Sequence, residues 1–199
     1  MKFRSFSALA PALIAAVAMF SVAKSTLAQE APRVKFATSA GDFVVEVYPD
    51  KAPKTVENFL QYVKDKHYDG TIFHRVIDNF MVQGGGFDAK YTEKKTRAPV
   101  AHEGREALAK GGLKNVDATL AMARTNDPNS ATAQFFINVK DNAFLDPSAQ
   151  SFGYTVFGKV VGGMEVVQKI KTTPTGAGGP FPTDVPKTPI LINSATLVK

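Results

Sequence analysis

Apolar, β-prone residues fill 34–38 and 43–48 on either side of Ser39-Ala40-Gly41-Asp42, which predicts two strands joined by a turn. After turn residues at 50–53 the period lengthens. Val56, Phe59, Leu60 and Val63 fall at i, i+3, i+4 and i+7, so residues 55–66 are expected to form a helix with one buried stripe. Tyr68-Asp69-Gly70-Thr71 reads as a turn into two short strands, 72–77 and 81–83, separated by Asp78-Asn79. Residues 84–117 are rich in Gly, Lys, Glu and Pro and read as a long surface loop, with a weak helical pattern at 105–109. Strand character returns at 119–122, 134–139 and 154–160. Met164, Val167 and Ile170 then mark a second helix, Gly and Pro dominate 172–187, and 190–197 is a closing strand. Seven or eight short strands with only two helices leave too few crossovers for a parallel α/β fold. A single mainly β domain, barrel or sandwich, is expected.

Within the strands the alternation is uneven. In Gln134-Phe135-Phe136-Ile137, Phe135 and Ile137 share one face while Gln134 and Phe136 share the other, so both faces carry an aromatic. Parity likewise places Phe73 with Arg75, and Met81 with Gln83. An ordinary core with a long polar side chain reaching from its edge explains one such pair. Three together predict a shallow groove with an apolar floor and a polar rim, suited to a ligand or peptide.

Composition narrows the function. The 199 residues contain no cysteine, which excludes a disulfide framework, a thiolate metal site and a cysteine nucleophile. Lys2 and Arg4, the apolar run 8–23, and Thr26-Leu27-Ala28 have the order of a secretory signal peptide cleaved after Ala28. That leaves 29–199 as the mature domain, without stable membrane association. Without Lys2, Arg4 and Lys24 the formal charge falls from +6 to +3. The one basic cluster, Lys90, Lys94, Lys95 and Arg97, is interleaved with Asp88 and Glu93 and lacks stacking platforms, so no nucleic-acid partner is expected. His67, His74 and His102 have no metal-ligand spacing, His74 reads as structural, and no metal or other cofactor is implied. Gly84-Gly85-Gly86 lacks the ending of a phosphate loop and is better explained by close chain packing. There is no Gly-x-Ser-x-Gly elbow. Glu103 and Glu106 are expected to decorate the loop, and 174–182 to form solvated turns.

The run Phe73-His74-Arg75-Val76-Ile77-Asp78-Asn79-Phe80-Met81-Val82-Gln83-Gly84-Gly85 resembles the signature of the cyclophilins, peptidyl-prolyl cis-trans isomerases. Leu120-Ala121-Met122-Ala123-Arg124-Thr125 and Ser130-Ala131-Thr132-Ala133-Gln134-Phe135-Phe136-Ile137-Asn138 agree in order and spacing. Asn142-Ala143-Phe144-Leu145-Asp146 and Phe152-Gly153-Tyr154-Thr155-Val156-Phe157-Gly158-Lys159-Val160 are similar to the exported bacterial branch. The resemblance implies a closed eight-stranded antiparallel β-barrel capped by two α-helices, with the ligand on its outer face. It implies Arg75 as the catalytic guanidinium, Phe80, Met81, Phe136 and Leu145 as the proline pocket, and Gln83, Ala123, Arg124 and Gln134 along the peptide track. Phe144 and Tyr154 complete the substrate site. They stand where many eukaryotic members have Trp and His, so weak cyclosporin binding is expected with turnover retained. The expected protein is a periplasmic, monomeric isomerase acting on proline-containing unfolded or extended segments. A non-catalytic peptide-binding module or chaperone on the same barrel is the alternative.

Overall fold

The computed structural model describes Met1 and residues 30–198, so the leader, apart from Met1, and its cleavage point at Ala28 lie outside the described residues. Eight strands close into one antiparallel barrel: β1 (Arg33–Thr38), β2 (Gly41–Val47), β3 (Thr71–Ile77), β4 (Met81–Asp88), β5 (Thr119–Met122), β6 (Phe135–Asn138), β7 (Val156–Gly162) and β10 (Leu191–Val198). Their order around the barrel is β1-β10-β3-β4-β6-β5-β7-β2. The remaining strands, β8 (Thr175–Gly178) and β9 (Phe181–Pro186), pair only with each other. The helices are α1 (Pro53–Lys64), α2 (Gly104–Ala109) and α3 (Met164–Lys171). The weak pattern at 105–109 thus becomes a third, short helix. The Gly/Pro stretch 174–182, read as turns, contributes to a hairpin instead.

Aromatic rings fill the barrel. Phe36 and Phe43 are register partners on β1 and β2 and stack at 5.0 Å. Phe135 sets its edge against Tyr68 at 5.5 Å and Phe59 at 6.1 Å, the latter from the buried stripe of α1. An interior packed in this way leaves no lumen, so any ligand must sit outside.

Glycines bring β4 close to its neighbours. A Cβ on Gly84 would meet the Phe73 ring at 2.9 Å and one on Gly85, at φ +87°, the Tyr68 ring at 2.9 Å. Close packing is therefore their role, and they continue the strand rather than open the loop. Pairing between β3 and β4 shifts register between Phe73 and Arg75. That bulge corrects the expected parity: Phe73 is buried in the core while Arg75 is exposed on the outside.

Glu103 is also not a surface decoration. It is buried, and its carboxylate accepts from the backbone N–H of Lys54 (3.1 Å) and Thr55 (2.7 Å) and from the Thr55 hydroxyl (2.7 Å). The residue preceding α1, Ala52, has no side chain that can cap. Glu103 supplies that cap from 48 residues away, with its negative charge at the positive end of the helix. Glu103→Ala is expected to lower unfolding free energy by about 2 kcal/mol, read as a reduced urea midpoint at unchanged m-value.

Candidate active site

Register builds the site as a row across four strands. Arg75 on β3 pairs with Gln83 on β4, Gln83 with Phe136 on β6, and Phe136 with Ala121 on β5. Adjacent strands lie about 4.8 Å apart, so the guanidinium root stands about 10 Å from the Phe136 position, and the side chain can lean over the gap. The row grades from a charge through an amide to apolar surface. Met81, Ala121, Phe136, Leu145 and Val156 form a small hydrophobic cluster of their own outside the barrel core, with Phe80 and Tyr154 against it. Phe136 is 4% exposed and meets the Tyr154 ring edge-on at 5.4 Å.

The polar side is linked. Gln83 donates from Nε2 to Oε1 of Gln134 at 3.0 Å, and Arg75 reaches the Gln83 Oε1 only at 3.5 Å. Among the described residues no carboxylate lies within ion-pair distance of Arg75. Its planar set of donors is thus available to an incoming group. Arg124 is different. Its Nε and Nη2 donate to the Gly153 carbonyl at 3.0 and 2.8 Å, its Nη1 donates to that of Thr125 at 2.8 Å, and its guanidinium lies 4.6 Å from the Tyr154 ring centroid. It borders the groove chiefly as a brace for the 153–154 segment.

A groove of about 380 Å³ is lined by Arg75, Phe80, Met81, Gln83, Ala123, Arg124, Gln134, Phe136, Leu145 and Tyr154, which are the sequence-derived site residues except Phe144. Phe144 is 72% exposed and stacks on the outer side of Phe80 at 5.7 Å, extending the wall beyond the groove itself. A more polar hollow with Glu93, Thr96 and Ser130 continues past Gln83 and Gln134. Two of the three inferred strand faces thus hold. The third reached the right residue, Arg75, by a parity that the bulge reverses.

Residues 33–197 match the family described as cyclophilin type peptidyl-prolyl cis-trans isomerase/CLD. The chain belongs to the cyclophilin-type isomerases. A peptidyl-prolyl cis-trans isomerase of Streptomyces antibioticus is 54% identical over 83% of this chain and 98% of its own. Peptidyl-prolyl cis-trans isomerase A of Dickeya dadantii is 46% identical over 94% of this chain and 96% of its own. A Cryptosporidium parvum cyclophilin type peptidyl-prolyl cis-trans isomerase, whose crystal structure was determined in the presence of the dipeptide Ala-Pro, superposes with a TM-score of 0.66. It is 25% identical and covers 84% of this chain and 99% of that one. In this cyclophilin-type chain three further side chains, His74, Phe87 and Phe181, line the groove. Phe181 is not legible in the sequence because it lies within the Gly- and Pro-rich stretch 174–182, which reads as solvated turns. The Gly-Gly pair is the one local signal for a hairpin there.

Burial lowers the pKa of His74 to about 4, with the Arg75 charge acting in the same sense and the backbone of Ile72 opposing it. An unfolded imidazole titrates near ~6.5, so on acidification the unfolded chain takes up the proton first. Stability is expected to fall as pH drops from about 6.5 to about 4, by about 3 kcal/mol from this residue, and to level off for it below that. His67 and His102, both lowered by burial, add in the same direction. Urea denaturation at pH 7, 5.5 and 4 checks this, with a shallower decline expected for His74→Phe.

Proposed function

We propose that this protein accelerates cis-trans exchange of X-Pro bonds in exported polypeptides, with Arg75 stabilising the twisted imide while Phe80, Met81, Phe136 and Leu145 hold the proline ring. Rotation is slow because amide resonance imposes a barrier of about 18–20 kcal/mol. No covalent bond is broken. In the twisted transition state the prolyl nitrogen regains a localised lone pair, able to accept a hydrogen bond that the planar amide could not. A donor that engages it there binds the transition state more tightly than the ground state, which is the condition for catalysis.

The observation that carries this reading is the exposed Arg75 guanidinium, free of any carboxylate partner among the described residues, in one cross-strand row with Gln83 and the apolar floor at Phe136. A charge-assisted hydrogen bond contributes about 1.5–3 kcal/mol, whereas a millionfold acceleration needs about 8 kcal/mol. The pocket must supply the rest. The twisted amide is less dipolar than the planar one and loses less on leaving water, while Gln83 anchors the carbonyl side and the pocket fixes the ring as the other half turns. Weak cyclosporin binding belongs to the same reading, since Phe144 offers no indole N–H.

Export rests on the basic, apolar and small-residue order of the first 28 residues. Magnetisation-exchange NMR on an Ala-Pro tetrapeptide tests the activity. Faster exchange at catalytic protein concentration supports it, and peptide binding without exchange overturns it in favour of a binding module. Cell fractionation tests the location, recovery in the cytoplasm with residues 1–28 still attached being the contrary result.

A further inference from the structure

The hairpin β8–β9 lies outside the barrel and packs on β3, the strand that carries Arg75. At its turn Phe181 meets Phe87 edge-on at 5.1 Å and lies over the His74 ring at 5.4 Å, while His74 and Phe87 are 4.8 Å apart. All three side chains line the groove, and Phe181 and Phe87 are only half-buried. The turn is held in place from outside. Tyr91 packs against Gly178 and Gly179 so closely that a Cβ on either glycine would collide with it, and Gly179 is held at φ +52°. The tip is therefore fixed, and its aromatic ring is presented to the groove at little ordering cost on binding.

Sheet order places this cluster relative to the chemistry. The proline pocket draws on β4, β6 and β5, the aromatic cluster on β3, β4 and the hairpin, so the two share β4 and line one groove together with Arg75 of β3. A pyrrolidine ring occupies only the first of these. His74 is neutral at neutral pH, so the second is an uncharged aromatic surface at the edge of a site built for a chain segment.

Resting on the isomerase reading above, we propose that Phe181, Phe87 and His74 form a second subsite that takes a large apolar or aromatic side chain of the same peptide segment whose proline occupies the pocket. The occupant follows from continuity of the two surfaces within one groove and from the lining, in which edge-to-face and offset ring contacts favour an aromatic side chain over a small one. The enzyme then prefers prolines flanked by aromatic residues, as in unfolded segments that later bury them.

The test uses two tetrapeptide series built on Ala-Pro, one varying the residue after proline and one varying the residue two before it, each with Phe, Leu, Ala or Glu. Magnetisation-exchange NMR gives kcat/KM for each peptide. In one of the two series Phe is expected to exceed Ala by about tenfold, with Leu between. Phe181→Ala should bring that Phe/Ala ratio close to one, and Phe181→Leu to an intermediate value. The methyl resonances of Val185, buried on the same hairpin, report whether the hairpin stays docked in each variant. An active enzyme with flat ratios in both series, or a ratio unchanged by Phe181→Ala with the hairpin docked, overturns the subsite alone. Absence of exchange with every peptide overturns the isomerase reading and the subsite with it.

Discussion

Arg75→Ala is expected to lower kcat/KM for an Ala-Pro peptide by roughly 10- to 200-fold without a measurable change in unfolding free energy. The factor is the rate equivalent of about 1.5–3 kcal/mol, the contribution of one charge-assisted hydrogen bond made chiefly in the transition state. Stability is spared because the side chain is exposed and its hydrogen bond to Gln83 is long at 3.5 Å. Arg75→Lys should recover only part of the loss. An ammonium keeps the charge but not the planar array of donors, and it is more strongly hydrated. Equal loss in kcat and kcat/KM identifies a transition-state contact, whereas a rise in KM at constant kcat would make Arg75 an adhesive residue.

Phe135→Ala and Phe136→Ala should separate sharply although the residues are neighbours. Phe135 is fully buried among Phe36, Tyr68, Phe59 and Phe73 in the barrel, so its truncation leaves a cavity bounded by rings that cannot collapse into it. A loss of about 3–5 kcal/mol is expected, a large part of the stability of a domain this size. Phe136 faces outward as the floor of the groove proposed to hold proline, where solvent can fill part of the space its ring leaves. Its truncation should cost less stability than that of Phe135 and lower kcat/KM by 100-fold or more, as the ring loses its seat and Tyr154 its edge contact. Urea denaturation and exchange kinetics on the two variants test the pair. Equal effects on both observables would mean that the two side chains do not divide between core and groove.

The barrel strands were legible because short runs of β-prone, largely apolar residues bounded by turn residues mark them, as at 72–77, 119–122 and 134–139. The groove was legible for the related reason that Phe136 and Met81 break the alternation, placing apolar bulk on a face that solvent would otherwise wet. What escaped sequence reading depends on contacts distant in the chain. The bulge beside Arg75 arises from how β3 meets β4, and no property of Phe73-His74-Arg75 alone reveals it. Glu103 looked like an ordinary acidic loop residue because the helix terminus it caps lies 48 positions earlier. The β8–β9 hairpin has no alternation to read, and its position depends on Tyr91 closing over glycines that offer no side chain. The barrel strands and the groove floor at Met81 and Phe136 are thus encoded locally, while the bulge that turns Arg75 outward, the distant cap and the hairpin's aromatic edge emerge only from the closed sheet.

The most direct test of Arg75 as the group that steadies the rotating imide measures binding and exchange in one sample. Titrating an isotopically labelled Ala-Pro peptide with wild type and with Arg75→Ala gives the affinity from chemical-shift changes and the on-enzyme isomerisation rate from line shapes. The expected result is affinity within a few-fold of wild type and an on-enzyme rate reduced at least tenfold. An on-enzyme rate equal to that of wild type, with any fall in turnover traced to affinity, would contradict it.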